Sequence, residues 1–230
     1  MSTSTSIAPR LFRQVAFNPV EDFALVGTIG FAPNVLVTGP RVTIGSITEL
    51  IAEAKKAPGR LRYASSGPGS GSWIGMELLK SMAEIQLEEI PYSSTAQATT
   101  DTISGQIELH CPSLAGAMPT LLAGHFRALG VTSARRSPSA PDIPAIAETV
   151  PGYDSAGWYA LAAPAGTPEP VLARLNTELQ AMVTEPTVKT ALANTGVDAD
   201  PGSRGAASEA MLAGMRRLTA LMDRIGHLPR

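Results

Sequence analysis

The residues best suited to chemistry lie in one serine- and glycine-rich segment, residues 63–72, with the sequence YASSGPGSGS. An apolar strand pattern at residues 61–64 leads into it, and residues 72–82 have the spacing of an amphipathic helix. Glycines let a backbone approach a guest closely, and serine hydroxyls offer hydrogen bonds. Free N–H groups in the first turn of a helix favour an anion. We therefore predict that this serine-glycine loop binds a carboxylate or a phosphate.

A second hydroxyl-rich turn, Pro91-Tyr92-Ser93-Ser94-Thr95, also joins a strand pattern to a helix pattern. In a parallel sheet both turns would lie at the carboxyl edge of the strands, where ligands bind. Trp158 lies in an apolar strand pattern, where it forms either a wall of a cleft or part of a core. The candidate ligand-binding residues from these segments are Ser65, Ser66, Gly67, Gly69, Ser70, Tyr92, Ser94 and Trp158.

The same loop is similar to a degraded dinucleotide fingerprint, Gly67-x-Gly69-x-x-Ser72. Glu88 and Glu89 follow at about the distance of the acid that binds ribose in that fingerprint. That acid belongs at the far end of the second strand, where this sequence has Ile90-Pro91-Tyr92 instead. A nucleotide- or phosphate-binding enzyme domain thus remains the alternative, and a plain tight turn is the simplest interpretation.

Catalytic signatures are missing from the sequence. There is no phosphate-binding loop with its lysine, no His-Glu-x-x-His and no Gly-x-Ser-x-Gly. The three histidines are His110, His125 and His227; His110 adjoins Cys111, but strand neighbours point to opposite faces. We therefore predict a binding protein that is not an enzyme and has no cofactor or metal.

Composition narrows the class further. The 230 residues are 44% hydrophobic and 17% charged with a net charge of −2, which fits a globular chain and gives no basic surface for nucleic acid. A single cysteine excludes an intramolecular disulfide. No apolar run reaches 18 residues, and the first residues, MSTSTS, do not resemble a secretory signal.

The order of strand and helix patterns predicts an α/β fold with crossover helices. Residues 1–22 are expected to be loop, and Thr167 is expected to cap a helix with Pro168 at its first position. The predicted strands are residues 23–29, 34–38, 61–64, 85–90, 106–111, 126–132 and 156–163. One predicted helix starts at residue 46. The other predicted helices cover residues 72–82, 95–105, 113–124, 168–184, 186–195 and 203–225.

Ordered short motifs run along nearly the whole chain, and together they resemble the substrate-binding proteins of tripartite tricarboxylate transporters, often called the Bug family. They are YASSGxGS from Tyr63, PY at Pro91, TA at Thr95, Asp101, GQI at Gly105, AGxxRALxVT at Ala123, SAxRSP at Ser133, PDxP at Pro141, PGY at Pro151, Trp158 and APAGTP at Ala163.

This resemblance implies a two-lobed fold of the periplasmic-binding-protein type II kind with a cleft between its lobes. Residues 31–150 would form one lobe, and residues 1–30 with 151–230 the remaining part of the other. The implied function is capture of a small carboxylate for the membrane components of a tripartite transporter, by a monomer located in the periplasm. Ser2 and Ser4, in a loop of the incomplete lobe, are implied as further ligand-binding residues.

Departures from the family pattern lead to further expectations. A signal peptide, a Pro-x-Pro-x-Gly-Gly loop and the first elements of one lobe are not in this sequence, so we expect that lobe to expose apolar surface and an unpaired sheet edge. Ser94 stands where the family usually has glycine, and His110-Cys111-Pro112-Ser113 replaces a stretch usually containing Asp-Asn. These differences are expected to alter the ligand.

Overall fold

The computed structural model describes residues 1–226 and divides the chain into two compact units. Met1–Ala32 and Gly157–Arg230 form the terminal unit, and Pro33–Ala156 form the central unit. The predicted boundaries lay after residues 30 and 150. Each unit has its own sheet and its own buried side chains.

The strands are β1 (Phe23–Ala32), β2 (Val35–Thr38), β3 (Arg62–Ser65), β4 (Glu88–Pro91), β5 (Leu109–His110), β6 (Arg127–Val131), β7 (Gly157–Pro164) and β8 (Asp198–Ala199). The helices are α1 (Thr3–Leu11), α2 (Ile47–Lys56), α3 (Gly71–Ala83), α4 (Thr95–Ser104), α5 (Leu114–Leu122), α6 (Glu169–Thr184), α7 (Pro186–Asn194) and α8 (Arg204–Arg224). One turn of 3-10 helix covers Ile146–Glu148.

The central unit is built on a five-stranded sheet in the order β4-β3-β5-β2-β6. Strand β3 runs parallel to β4 and to β5, whereas β2 runs antiparallel to β5 and β6. The carboxyl ends of β3, β4 and β5 therefore meet at one edge, and a helix follows each of them. This arrangement confirms the predicted α/β fold with crossover helices.

Strand β2 lies in the core of the central unit. All four residues of β2 are buried, as expected of a strand that has layers on both faces. Val35 and Val37 pack with Leu114 of α5, Phe126 and Val131. The sequence Val-Leu-Val-Thr thus suits a buried strand because three of its four side chains are apolar and three are β-branched.

The terminal unit has a three-stranded antiparallel sheet in the order β7-β1-β8. Neighbouring residues of β1 face opposite layers: Leu25 packs with Trp158 and Met211 of α8, and Val26 packs with Leu172 of α6. Helix α8 therefore packs on one face of this sheet and α6 on the other, which is the alternation expected of a strand between two layers.

The expectation that residues 1–22 are loop was wrong for the first half of that segment, which forms helix α1. Ser2 is its N-cap and accepts a hydrogen bond from the N–H of Thr5, and Ile7 and Leu11 are buried one turn apart. Burial of this apolar pair outweighs the weak helix propensity of the serines and threonines and the presence of Pro9.

Two smaller predictions were also wrong. Pro168, and not Thr167, is the N-cap of α6, because the Thr167 hydroxyl donates to the carbonyl of Pro164 at 2.8 Å. Strand β4 begins at Glu88, three residues later than predicted, and the two-residue strand β8 was not predicted at all. Such short pairings leave too little periodic pattern to be recognised.

Apolar side chains are exposed in the terminal unit, in agreement with the expected apolar surface there. Tyr159 and Leu161 on β7 are 44% and 38% exposed, and Val171, Leu175 and Met182 on α6 are 46%, 38% and 49% exposed. The buried residues of α6 lie on one side of this helix, and the three exposed ones follow each other along an adjacent side. The apolar surface of α6 is therefore wider than the part that the sheet covers.

Candidate functional site

Three helix N-termini meet at the carboxyl edge of the parallel strands of the central unit. The N-caps of α3, α4 and α5 are Ser70, Ser94 and Ser113, and each hydroxyl accepts a backbone N–H from the first turn of its own helix. Three positive ends of helix dipoles thus point to the same edge of the sheet. An anion bound there would be stabilised without a cationic side chain.

The serine-glycine loop is a tight turn that joins β3 to α3. Gly67 and Gly69 have φ values of +86° and +85°, a region that other residues rarely adopt. The Ser70 N–H and the Ser70 hydroxyl both donate to the carbonyl of Gly67, at 3.1 and 2.7 Å. These glycines are required by the backbone of the turn itself.

Most hydroxyls of this loop already have partners within the protein. Ser65 is buried and donates to the carboxylate of Glu89 at 2.5 Å, while its oxygen accepts the N–H of Gly67 at 3.0 Å. Ser72 accepts the N–H of Ser66 at 3.1 Å. The Ser66 side chain is exposed at the surface of the loop.

Backbone donors remain open at the start of α3. Within residues 1–226, the N–H groups of Gly71 and Ser72 make no hydrogen bond, as is usual for the first two positions of a helix. Gly71 is exposed, so its N–H can reach a ligand. The prediction of anion-binding amides thus rests on Gly71 and Ser72 rather than on the serine hydroxyls.

Asn34 adjoins this helix end and was not predicted as a site residue. Its side-chain amide donates to the carbonyl of Cys111 at 2.9 Å, and a Cβ added at Gly71 would lie 3.3 Å from the same amide nitrogen. The Asn34 N–H donates to the hydroxyl of Thr132. The only sequence signal was an amide side chain between Pro33 and a strand, which is too common to indicate a site.

The second turn is joined to the first through the main chain. The N–H of Tyr92 donates to the carbonyl of Ser65 at 2.8 Å, which places the two predicted turns side by side. The Tyr92 hydroxyl donates to Asp101 of α4 at 2.9 Å, and burial together with this carboxylate raises the pKa of Tyr92. The predicted ligand role of Tyr92 and Ser94 remains a prediction.

The other predicted site residues lie in the terminal unit. Ser2 caps α1, and Ser4 is exposed on that helix. Trp158 is only 6% exposed and packs against α8, and its main-chain N–H donates to the hydroxyl of Thr3 at 3.0 Å. Its buried indole N–H has no hydrogen-bond partner within residues 1–226. The predicted ligand role of Trp158 remains a prediction.

His110 and Cys111 are buried in β5 and directly after it. The ring nitrogens of His110 have no hydrogen-bond partner within residues 1–226, and burial lowers the pKa of His110 to about 4. Burial also raises the pKa of the Cys111 thiol to about 12. A neutral imidazole in the core and an unreactive thiol do not form a catalytic pair of general base and nucleophile. His227 lies outside the described residues.

Behind the loop, α3 is fixed to the sheet by a buried polar cluster. The hydroxyl of Tyr63 on β3 donates to Glu77 on α3 at 2.6 Å, and Lys80 donates to the same carboxylate oxygen at 2.5 Å. Glu77 is 8% exposed, so both partners compensate the loss of its hydration. This cluster holds the helix whose N-terminus faces the sheet edge.

Replacing Tyr63 with phenylalanine should therefore lower the free energy of unfolding by about 1.5 kcal/mol, because a buried carboxylate loses one of its two donors. Urea denaturation followed by circular dichroism measures this change. The matched control is Tyr159→Phe, which removes a hydroxyl from a side chain that is 44% exposed and should leave stability nearly unchanged. Equal stability of the two variants would contradict the proposed anchoring.

The described part of the chain has neither a metal-binding cluster nor a membrane-spanning helix. In residues 1–226 no group of three or more histidine, cysteine, aspartate or glutamate side chains is arranged to hold a metal ion. Among the helices in this part, none has both the length and the apolar character needed to cross a bilayer.

Two α/β units, one of which collects helix N-termini at the carboxyl edge of parallel strands, are the architecture of a solute-binding protein with a periplasmic-binding-protein-like fold. The chain belongs to the tripartite tricarboxylate transporter family receptors, whose family model matches residues 1–226. This result confirms the resemblance found in the sequence.

A protein from Pseudomonas sp. (strain P51), described as a UPF0065 protein in the tcbD-tcbE intergenic region, is 32% identical over 204 residues. The match covers 88% of this chain and 61% of the relative, so the chain spans about 61% of the length of that curated relative.

Solved structures of carboxylate-bound proteins are also similar. The structure described as R. palustris Rpa4515 with adipate has a TM-score of 0.81 at 30% identity, and the match covers 100% of this chain and 78% of the Rpa4515 chain. MatC from Rhodopseudomonas palustris with bound malate has a TM-score of 0.73 at 26% identity, and the match covers 96% of this chain and 76% of the MatC chain. These matches confirm the fold class.

Proposed function

We propose that this protein captures a small carboxylate at the N-termini of α3, α4 and α5 and delivers it to the membrane components of a tripartite transporter in the periplasm. The observation that supports this most directly is the open N–H pair of Gly71 and Ser72 beside two further helix N-termini. Such donors suit a carboxylate that must be bound and released, because they stabilise negative charge without a salt bridge.

The relatives support the same class of ligand. Adipate and malate are named in the titles of two similar structures, and both molecules carry carboxylates. The site in this chain offers backbone amides near the start of α3, and such donors suit a carboxylate. We propose a ligand of that general size, bound by a monomer.

The nucleotide alternative has a specific observation against it. Glu89, one of the two acids considered for ribose binding, accepts hydrogen bonds from Ser65 and from Trp73 at the loop itself. A carboxylate at this position repels a pyrophosphate instead of binding a ribose. We therefore place phosphate and nucleotide binding second.

We also propose that the protein binds its ligand without transforming it. His110 and Cys111 are the base and nucleophile pair that the sequence suggested, and both are buried and uncharged at neutral pH. The binding residues proposed here are backbone groups and hydroxyls, which hold a ligand reversibly.

A pair of variants at Gly71 tests the proposal. Gly71→Pro removes the N–H of the first helical position, where proline is favoured, and the preceding Ser70 already has the extended conformation that proline requires (φ −71°, ψ 155°). We expect carboxylate affinity to fall about tenfold, since one charge-assisted hydrogen bond is lost. The control is Gly71→Ala, which keeps the N–H and adds the same Cβ.

Isothermal titration and thermal shift with mono-, di- and tricarboxylates supply the measurement. The wild type and Gly71→Ala should both gain several degrees in Tm with at least one acid at about 100 times its Kd. A wild-type protein that binds none of these acids would overturn the proposed function. Equal affinity of the proline and alanine variants would remove Gly71 from the site.

A further inference from the structure

Glu89 is the second of the four residues of β4, and its side chain reaches the serine-glycine loop. One of its oxygens accepts a hydrogen bond from the Ser65 hydroxyl at 2.5 Å, and the other accepts the indole N–H of Trp73 at 3.2 Å. Ser65 is the last residue of β3, and Trp73 is the third residue of α3. The carboxylate therefore contacts Ser65 within the loop and Trp73, the residue that follows it.

These contacts change what the loop can offer to a ligand. A hydroxyl can donate one hydrogen bond, and the Ser65 hydroxyl donates its hydrogen bond to Glu89. The donors left for an anion are the N–H groups of Gly71 and Ser72, which are two positions and one position before Trp73. A bound carboxylate would thus share the start of α3 with a protein carboxylate.

The negative charge of Glu89 offsets part of the positive potential at the N-terminus of α3. Glu89 is partly buried, and its hydrogen-bond partners within residues 1–226 are Ser65 and Trp73, neither of which is cationic. Two negative charges several ångströms apart repel each other strongly where water is partly excluded. The repulsion grows with each further charge on the ligand.

We infer that Glu89 is a specificity-determining residue that makes the loop favour singly charged carboxylates over doubly charged ones, an inference that rests on the proposed carboxylate site. Adipate and malate, named for two similar structures, each have two carboxyl groups. Glu89 thus directs this chain toward monocarboxylates, or toward acids whose second group is neutral or positively charged.

The test compares Glu89→Gln with Glu88→Gln. Glutamine has the shape of glutamate and keeps an acceptor, but lacks the charge. Glu88 is the neighbouring residue of β4, is exposed and faces the opposite side of the sheet, so its replacement is a matched control. Propionate and succinate are the probes, titrated by calorimetry at pH 7.5 and low salt, where charges are least screened.

Glu89→Gln should strengthen succinate binding about tenfold and propionate binding about threefold, whereas Glu88→Gln should change both less than about twofold. If both probes bind and the succinate-to-propionate affinity ratio is the same in the wild type and Glu89→Gln, the inference on Glu89 is overturned while the carboxylate site stands. If neither probe nor any other carboxylate binds the wild type or Glu89→Gln, the proposed function and this inference both fail.

Discussion

Between pH 7 and pH 4 the protein should lose about 3 kcal/mol of unfolding free energy through His110 alone. The imidazole is 4% exposed, lies against the ring of Phe126 and has no hydrogen-bond partner within residues 1–226. Burial lowers its pKa from 6.5 to about 4. Below pH 6.5 the unfolded chain therefore takes up a proton that the folded protein does not, and stability falls until the pH reaches about 4.

Urea denaturation at several pH values of the wild type and of His110→Leu measures this contribution. Other groups, such as Glu108 paired with Arg62, also weaken folding in acid, but they are present in both proteins, so the difference between the two curves isolates His110. His125→Gln is the control, because His125 is exposed after α5. Curves that stay parallel for the wild type and His110→Leu from pH 7 to pH 4 would refute the prediction.

Gly39→Ala should destabilise the central unit by about 3 kcal/mol, at the upper end of the range for overpacking. Gly39 is buried directly after β2, and a Cβ built on it would lie 1.9 Å from the carbonyl oxygen of Thr102 in α4. The clash is with backbone, so either β2 or α4 must move. Since α4 supplies one of the three helix N-termini, carboxylate affinity should fall as well.

Gly45→Ala is the matched control, because a Cβ there meets nothing closer than 3.6 Å and the residue is exposed in the same unit. Its stability should stay within about 0.5 kcal/mol of the wild type. Thermal and urea unfolding of both variants give the comparison. A stable Gly39→Ala protein with wild-type ligand affinity would show that the packing of α4 on β2 is looser than described.

Elements with strong local signals could be predicted from the sequence. Helix α3 has a serine cap and an apolar face, and its predicted start differs from the observed one by a single residue. Helix α1 and strand β8 could not be predicted, because burial against distant residues stabilises them. The deciding contacts are remote in the chain: Met1 donates to the carbonyl of Ala160, and β8 pairs with β1.

The site was predictable in its backbone but not in its side chains. Glycines that require positive φ and a helix that follows them indicate an amide-rich turn from local sequence alone. The partner of the Ser65 hydroxyl is Glu89, 24 residues away, and that contact depends on the pairing of β3 with β4. Hydroxyls that look available in the sequence are therefore already bonded in the fold.

The bonded hydroxyls of the serine-glycine loop also bear on the kinetics of capture. Ser65, Ser70 and Ser72 have fixed partners, and the main-chain bond from Tyr92 to Ser65 links the neighbouring turn to them. A ligand that meets this loop does not need to order it, so little conformational entropy is lost on binding there. Preorganised amides of this kind permit rapid association and leave the residence time of the ligand to set its affinity.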